Sequence, residues 1–503
     1  MKDFYGQEEL SPNYLESITL GPQTFRKMNT RKLTLTDGVM LVSGSMIGSG
    51  IFIVSADISR NLGGGGWMML TWLLAGLMTI LAALSYGELS AMMPAAGGQY
   101  VYLKKAYGPR TAFLYGWTLF TVIQTGTIAA VGVAFAKFSG VIFPFFSEKN
   151  ILLDLGFLKI SAAQILAILS IVFLSWLNSR GIRNGSLLQR TFTFAKLSAL
   201  FGLIIAGLLY FDNNTWELNW NSFWSAASTT QDKATGQWTI VTLSGLTLLS
   251  AFGVSMVGSL FSSDAWNNVT FVSGEMENPA KNVAKSMVLG TVVVTGIYLL
   301  ANVVYLGLLP AIGSPDGPGV MERGIQFATN DRVGTAAAFQ IFGDASLYIM
   351  AILIMISTFG CNNGLILSGA RVYQVMAKDG LFFKQAAEIN DAQVPGKALW
   401  FQCLWTSLLC LSGTYGDLLD YVVFAVLVFY ILTVAGVFIL RKNNPDEPRP
   451  YKTPGYPFVP ALYIFLATAV CLLLLIYKPN YTWPGLGIVL AGFPIYFLIN
   501  KKK

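Results

Sequence analysis

Histidine is absent from this chain of 503 residues. That removes the commonest metal ligand and the side chain best suited to carrying a proton near neutral pH. Charge is scarce as well, with Asp, Glu, Lys and Arg together making up 12% of the residues, too few to cover the surface of a water-soluble protein of this length. The cysteines number four, Cys361, Cys403, Cys410 and Cys471. All lie in or beside apolar segments, without metal-ligand spacing or an extracellular pairing pattern, so buried free thiols are expected. No metal and no cofactor is expected. The polar stretch up to Leu33 lacks the apolar centre of a signal peptide, and neither a myristoylation pattern nor a prenylation box is expected from the ends. The net charge is +7, and no nucleic acid partner is expected.

What is abundant is apolar sequence, 54% of the chain, in repeated runs close to the length that crosses a bilayer. The expectation is an all-α polytopic membrane protein with twelve transmembrane helices. They are placed at 34–61, 67–93, 111–146, 161–178, 187–211, 239–273, 285–310, 343–376, 398–413, 418–440, 459–477 and 484–500. With the N-terminus in the cytoplasm, Lys and Arg on the inner side outnumber those outside by more than three to one. The positive-inside rule therefore supports both this orientation, with N- and C-termini cytoplasmic, and the count.

Two of these spans are interrupted. Gly44-Ser-Met-Ile-Gly-Ser-Gly-Ile-Phe52 lies in the middle of the first. Gly48, Ser49 and Gly50 weaken a helix at a depth where lipid offers its backbone no hydrogen-bond partner, which is tolerable only in contact with protein or a cavity. The other reading is a small-residue packing face, Gly44 to Gly48. In the sixth span, Phe261-Ser-Ser-Asp-Ala-Trp-Asn-Asn268 places a carboxylate, Asp264, in apolar surroundings. Paired interruptions in two halves of a hydrophobic chain point to a binding site near the bilayer midplane. They sit five helices apart, and an odd number reverses the orientation. This predicts a 5+5 inverted repeat: an N-terminal cytoplasmic segment 1–33, a first repeat 34–211, a second repeat 239–440, and two accessory helices at 459–500.

The same residues carry a resemblance. Gly44-x-x-Ile47-Gly-Ser-Gly-Ile-Phe52 resembles the first-helix signature of the amino acid–polyamine–organocation (APC) transporters. Phe261…Trp266-Asn…Val269-Thr-Phe…Gly274-Glu-x-x-Asn278-Pro279 resembles their sixth helix and following loop. Tyr86-Gly-Glu-Leu…Gly97-Gly-Gln-Tyr100, Ala195-Lys196-Leu197 and Phe359-Gly-x-Asn-Asn-Gly364…Ser368-x-x-Arg371 are similar to helices 2, 5 and 8. The resemblance covers about residues 30 to 440 and is nearest the L-type amino acid transporter family and its bacterial relatives. It implies the leucine-transporter-type fold. It further implies that Ile47, Gly48, Ser49 and Gly50 hold a substrate α-carboxylate and that Phe261 is an aromatic gate. Carbonyls released at Phe261, Ser262 and Asp264 would accept from an α-ammonium group, with Ser262 and Ser263 making the pocket more polar. Asp264 could neutralise that ammonium, carry a proton, or cap the restarting helix. Lys196 lies ~13 Å along its helix, too deep for simple snorkelling. In sodium-independent relatives a lysine at the matching position stands where a sodium ion sits, bridging first-helix carbonyls and eighth-helix hydroxyls such as Ser357 or Thr358. Gln124 either lines the pocket or joins helices, and Arg371 pairs with an acid among Glu88, Glu275 and Glu277.

The expected function is sodium-independent secondary transport of neutral L-amino acids across a plasma (inner) membrane by alternating access, through exchange or proton coupling. The alternative on the same fold is a cationic amino acid or polyamine transporter. An intramembrane enzyme lacks a nucleophile–base or metal constellation. The partners expected are an amino acid substrate and the lipid bilayer. Family members that pair with a heavy chain use a cysteine between helices 3 and 4. The loop Ser147 to Lys159 has none, so no disulfide-linked heavy chain is expected.

Overall fold

A computed structural model describes residues 32–155, 159–232, 236–411 and 415–500. Most of the N-terminal segment, residues 1–31, lies outside the described residues. From Leu33 onward the chain forms one compact unit, built almost entirely from helices. The order is α1 (Leu35–Met46), α2 (Gly50–Leu62), α3 (Gly65–Met92), α4 (Gln99–Tyr107), α5 (Pro109–Thr118), a π-helical turn at Leu119–Ile123 and α6 (Gln124–Ile142). A hairpin of β1 (Ile151–Asp154) and β2 (Lys159–Ser161) leads to α7 (Ala162–Ser179), α8 (Ile182–Leu209) and α9 (Asn213–Asn221). A second hairpin, β3 (Ala227–Gln231) with β4 (Trp238–Thr242), precedes α10 (Gly245–Ser262). Then come α11 (Pro279–Leu308), the single turn α12 (Val320–Arg323), α13 (Val333–Phe342) and α14 (Ser346–Lys378). The chain closes with α15 (Gly396–Cys410), α16 (Tyr415–Asn443), α17 (Phe458–Tyr477) and α18 (Pro479–Asn500).

Ten helical spans among the described residues are long and apolar enough to cross a membrane, and the bent pair α1 and α2 makes eleven. Of the twelve expected spans, the one at 398–413 corresponds to α15, whose 15 residues fall short of a crossing by length alone. The largest departure is at 239–273. Its first residues, Trp238-Thr-Ile-Val-Thr242, are apolar but β-branched, and they pair with Ala227–Gln231 as a strand. The helix begins only at Gly245, where Ser244 and Thr247 form a reciprocal capping pair. Its continuation past the break is a 3-10 turn, Trp266–Thr270, and no second α-helical half forms there.

Burial grades the helices from centre to rim. In the span Pro109–Ile142, 83% of the most apolar window is covered by protein; in Thr482–Ile499 the figure is 28%. Leu, Ile and Phe side chains of α17 and α18, such as Phe465, Leu472, Ile476 and Leu498, face outward, where lipid takes the place of a core partner. At the centre, α1 runs between α8, α11 and α14, while α2 packs on α10.

One end of the bundle is tied by a buried carboxylate. Glu88, near the end of α3, accepts from both ends of the Arg441 guanidinium of α16, at 2.8 and 2.6 Å, and from the Thr453 backbone N–H at 2.8 Å. Arg449 lies 3.3 Å away, and Arg441 stacks over Tyr456. The connection between α16 and α17 is thereby held to α3. Arg441→Ala should lower stability by ~3 kcal/mol, because breaking a buried pair leaves Glu88 under-compensated. A thermal melt of the purified protein checks it, with Glu88→Gln in the Arg441→Ala background expected to recover part of the loss.

Candidate functional site

The first helix stops where its sequence predicts. Ile47 turns to φ −76°, ψ 95°, which is extended, and the helix restarts at Gly50 with its axis turned by 42°. A helix end leaves carbonyls unpaired, and at this depth water is not there to take them. Neighbouring helices supply the donors. The Lys196 ammonium of α8 donates to Gly44 O at 2.6 Å, Ile47 O at 2.7 Å and Ser357 O at 3.1 Å. An ammonium has three N–H groups, and all three are used. The Ser357 hydroxyl of α14 reaches Ile47 O at 3.1 Å and Gly48 O at 3.0 Å. Cys361 donates its S–H to Ser45 O at 2.9 Å, and the Tyr298 hydroxyl of α11 lies 3.1 Å from Met46 O. Five successive carbonyls, Gly44 to Gly48, thus find side-chain donors from three helices. On the other side of the break, the Phe52 N–H bonds Ser49 O at 3.1 Å, and the first turn of α2 forms the positive end of its dipole.

Small residues let the helices close in. A Cβ on Gly44 would press into Thr193 and Gln189 of α8, so the packing-face reading holds for Gly44. For Gly48 it does not: a Cβ there would meet only Cys361 Sγ, at 3.5 Å. Gly44 and Gly360 allow α1, α8 and α14 to approach closely enough for Lys196 to reach its carbonyls, with Lys196 Cε 3.7 Å from the place of a Gly360 Cβ.

The second break touches the first. Ser263, Asp264 and Ala265 separate α10 from the 3-10 turn, and Ala265 takes the left-handed conformation at φ 65°. That costs a non-glycine residue about 1 kcal/mol and persists only where packing determines it. Tyr298, at 3.0 Å from Ser262 O and 3.1 Å from Met46 O, joins both breaks through one hydroxyl. Gly50 lies against Ser262, with the place of its Cβ 2.8 Å from Ser262 Cβ. Ile47, Ser49, Phe261, Ser262 and Ser263 are all buried.

Asp264 turns to another partner. Its Oδ1 accepts from the Tyr430 hydroxyl of α16 at 2.6 Å. Two small cavities of about 20 Å³ each meet at this pair. The first is lined by Gln99, Gln124, Thr127 and Asn267, the second by Thr79, Ser263, Trp266 and Tyr463. Neither lining includes Ile47 to Gly50, so the two chain breaks come together but neither of these two cavities opens onto both. Gln124 does both things expected of it, lining the first cavity and donating to Leu365 O at 2.8 Å.

Other expected partners differ in detail. Lys196 meets the carbonyl of Ser357 rather than its hydroxyl, and the Thr358 hydroxyl bonds Ile354 O in its own helix at 2.7 Å. Back-bonding to the preceding turn is the low-cost choice for a threonine in a continuous helix. Arg371 pairs with Glu275 at 3.1 Å. Tyr298 and Tyr430 did not emerge from the sequence, where each is one aromatic in a long apolar run. The only signal available was that a buried phenol needs a partner.

Two broken helices that abut inside a multi-pass membrane bundle, with released carbonyls on one side and N–H groups on the other, are the makings of a transporter's substrate site. The chain belongs to the amino acid permease family of the APC superfamily, whose family model matches residues 33–499. It is similar to the b(0,+)-type amino acid transporter 1 of Homo sapiens, 28% identical over 94% of this chain and 88% of that one. It resembles the serine/threonine exchanger SteT of Bacillus subtilis (strain 168), 27% identical over 94% and 98%. The large neutral amino acids transporter small subunit 2 of Mus musculus is 29% identical over 93% and 81%. The protein is therefore a membrane permease and not an enzyme.

The Gly50–Ser262 contact allows a sharp comparison. Gly50→Ala should abolish uptake, because its Cβ meets Ser262 where the two breaks touch, whereas Gly48→Ala should retain most of it. Adding Ser262→Gly to Gly50→Ala should restore part of the uptake. Labelled amino acid uptake into proteoliposomes, normalised to inserted protein, reads all three.

Proposed function

We propose that this permease carries neutral L-amino acids by alternating access without sodium. The observation that carries the sodium-independence is the Lys196 ammonium, seated on Gly44 O, Ile47 O and Ser357 O. A set of converging carbonyls is what a sodium ion would need, and here a fixed cation occupies it. A second cation at ~4 Å would be repelled by about 4 kcal/mol at intermediate dielectric. Gly48, Ser49 and Gly50 offer the N–H end of α2 to the α-carboxylate, assisted by the Ser49 hydroxyl. Carbonyls around Phe261 to Asp264 accept from the α-ammonium group, and Phe261 closes over the substrate. The names of the relatives, which include an exchanger and transporters of large neutral amino acids, favour exchange of neutral substrates.

The proposed architecture is twelve crossings with α15 as a short one, arranged as inverted repeats at 34–211 and 239–440 with accessory helices in 459–500. Both termini would lie in the cytoplasm and the bundle in the plasma membrane. The loop from Ser147 to Lys159 carries no cysteine, which favours function without a disulfide-linked heavy chain.

A second reading rests on Asp264. A carboxylate between two cavities, engaged by the Tyr430 hydroxyl and the Ala265 N–H, suits a cationic side chain or a polyamine.

Uptake into proteoliposomes should be equal in sodium and choline buffers. Lys196→Ala should lower it more than about tenfold, since even one buried carbonyl left without its donor costs ~1–3 kcal/mol. Strict sodium dependence of the wild type would sink the proposal. For the second reading, Asp264→Asn separates the substrates: neutral amino acids should still be taken up, while competition by arginine or a polyamine, if the wild type shows any, should disappear.

A further inference from the structure

Away from the helix breaks, between α12, α13 and the start of α14, lies a cavity of about 270 Å³, larger than either of those at Asp264. Its lining is of two kinds. One part is cationic and donor-rich. Arg323 is held rigidly, its Nε donating to Gly317 O at 2.7 Å and its NH1 to Thr329 Oγ1 at 2.8 Å. Arg332 stacks on Phe138 of α6, 5.2 Å from the ring centre, and its buried Nε has no hydrogen-bond partner among the described residues. Buried Ser346, where a 3-10 turn (Gly343–Ala345) runs on into the 33-residue helix α14, lines the same cavity, its backbone N–H already bonded to Gly343 O. The other part is apolar: Val320, Ala336, Phe339 and Leu347 line it. Phe339 and Leu347 also belong to a set of exposed apolar side chains, with Phe342 and Tyr348, within the membrane span Val333–Lys378.

A pocket with two guanidiniums at one part and exposed aromatics at the other matches a molecule with an anionic head and an acyl tail. Asp344, exposed at the rim, is the acidic residue of the lining, and Glu148 acts on Arg332 through space. Neither forms an ion pair with Arg323 or Arg332 among the described residues, so both guanidiniums keep donors for a ligand. We propose that this cavity is a site for an anionic phospholipid of the surrounding leaflet, its phosphate on Arg323 and Arg332 and its acyl chain along Phe339 and Leu347.

The site adjoins the moving parts of a transporter. The place of a Cβ on Gly334 in α13 is 2.9 Å from Phe52 of α2, and Asp331, next to Arg332, accepts from Arg60 of α2 at 2.6 Å. A lipid bound here would hold α13 against the second half of the broken helix.

Native mass spectrometry of the detergent-purified protein, with phosphatidylglycerol and phosphatidylcholine added as equal competitors, tests this. Wild type should retain phosphatidylglycerol preferentially. Arg332→Gln and Arg323→Gln should each lower that preference about tenfold, the worth of one charge-assisted hydrogen bond. Phe339→Ser, which leaves both arginines in place, should weaken retention of either lipid. Thermal melts show that each variant is folded, and Arg323→Gln leaves the Arg332–Phe138 stack intact should Arg332→Gln not fold. Undiminished preference in folded arginine variants would overturn the site. Displacement of bound phosphatidylglycerol by an equal concentration of soluble glycerol phosphate would overturn the lipid as its occupant.

Discussion

Everything at the centre of this bundle follows from carbonyls that have lost their helix. Where α1 stops, Gly44 to Gly48 present oxygens to an interior without water, and each such group left alone would cost a kilocalorie or more. The Lys196 ammonium takes two of these carbonyls and a third from Ser357 of α14. A lysine so deep in a membrane protein is itself costly, and the released carbonyls are what make it tolerable. Each compensates for the other: neither the broken helix nor the buried cation would be stable without its partner.

The two breaks are joined by very few atoms. Tyr298 lies within hydrogen-bond distance of a carbonyl from each, and Gly50 touches Ser262 with no room for a methyl group. A small displacement of α2 relative to α10 would therefore change both surfaces of the site together. That is the kind of coupling alternating access requires, since tightly packed contacts shift between discrete arrangements and do not deform continuously. The ends of the bundle are pinned in other ways. Glu88 with Arg441 ties the α16–α17 connection to α3 at one end, and Arg60 with Asp331 ties α2 to the loop before α13.

Asp264 shows how little a residue's presence in the sequence says about its direction. Capping, neutralising an ammonium and carrying a proton were all open from the Phe261 to Asn268 stretch. In the structure the carboxylate is engaged by Tyr430, a residue 166 positions away. Two small cavities meet at that pair, and neither lining includes the α-carboxylate candidates Ile47 to Gly50.

Composition by itself determined that this is a multi-pass membrane protein, because apolar runs of such length cannot be hidden in a soluble core. Glycine and serine at 48–50 determined where the first helix breaks, since lost helix propensity is a local property. The depth of Lys196 showed that it needed a polar partner. Helix 6 was read less well. Trp238 to Thr242 is as apolar as a membrane segment, and only its pairing with Ala227 to Gln231 makes it a strand; hydropathy does not distinguish the two. Which oxygens Lys196 would find, that Thr358 would bond its own helix, and that Tyr298 and Tyr430 would matter at all were decided by tertiary structure. Hydrogen bonds between helices depend on rotation and approach to within a few tenths of an ångström, and that information arises only when the helices pack.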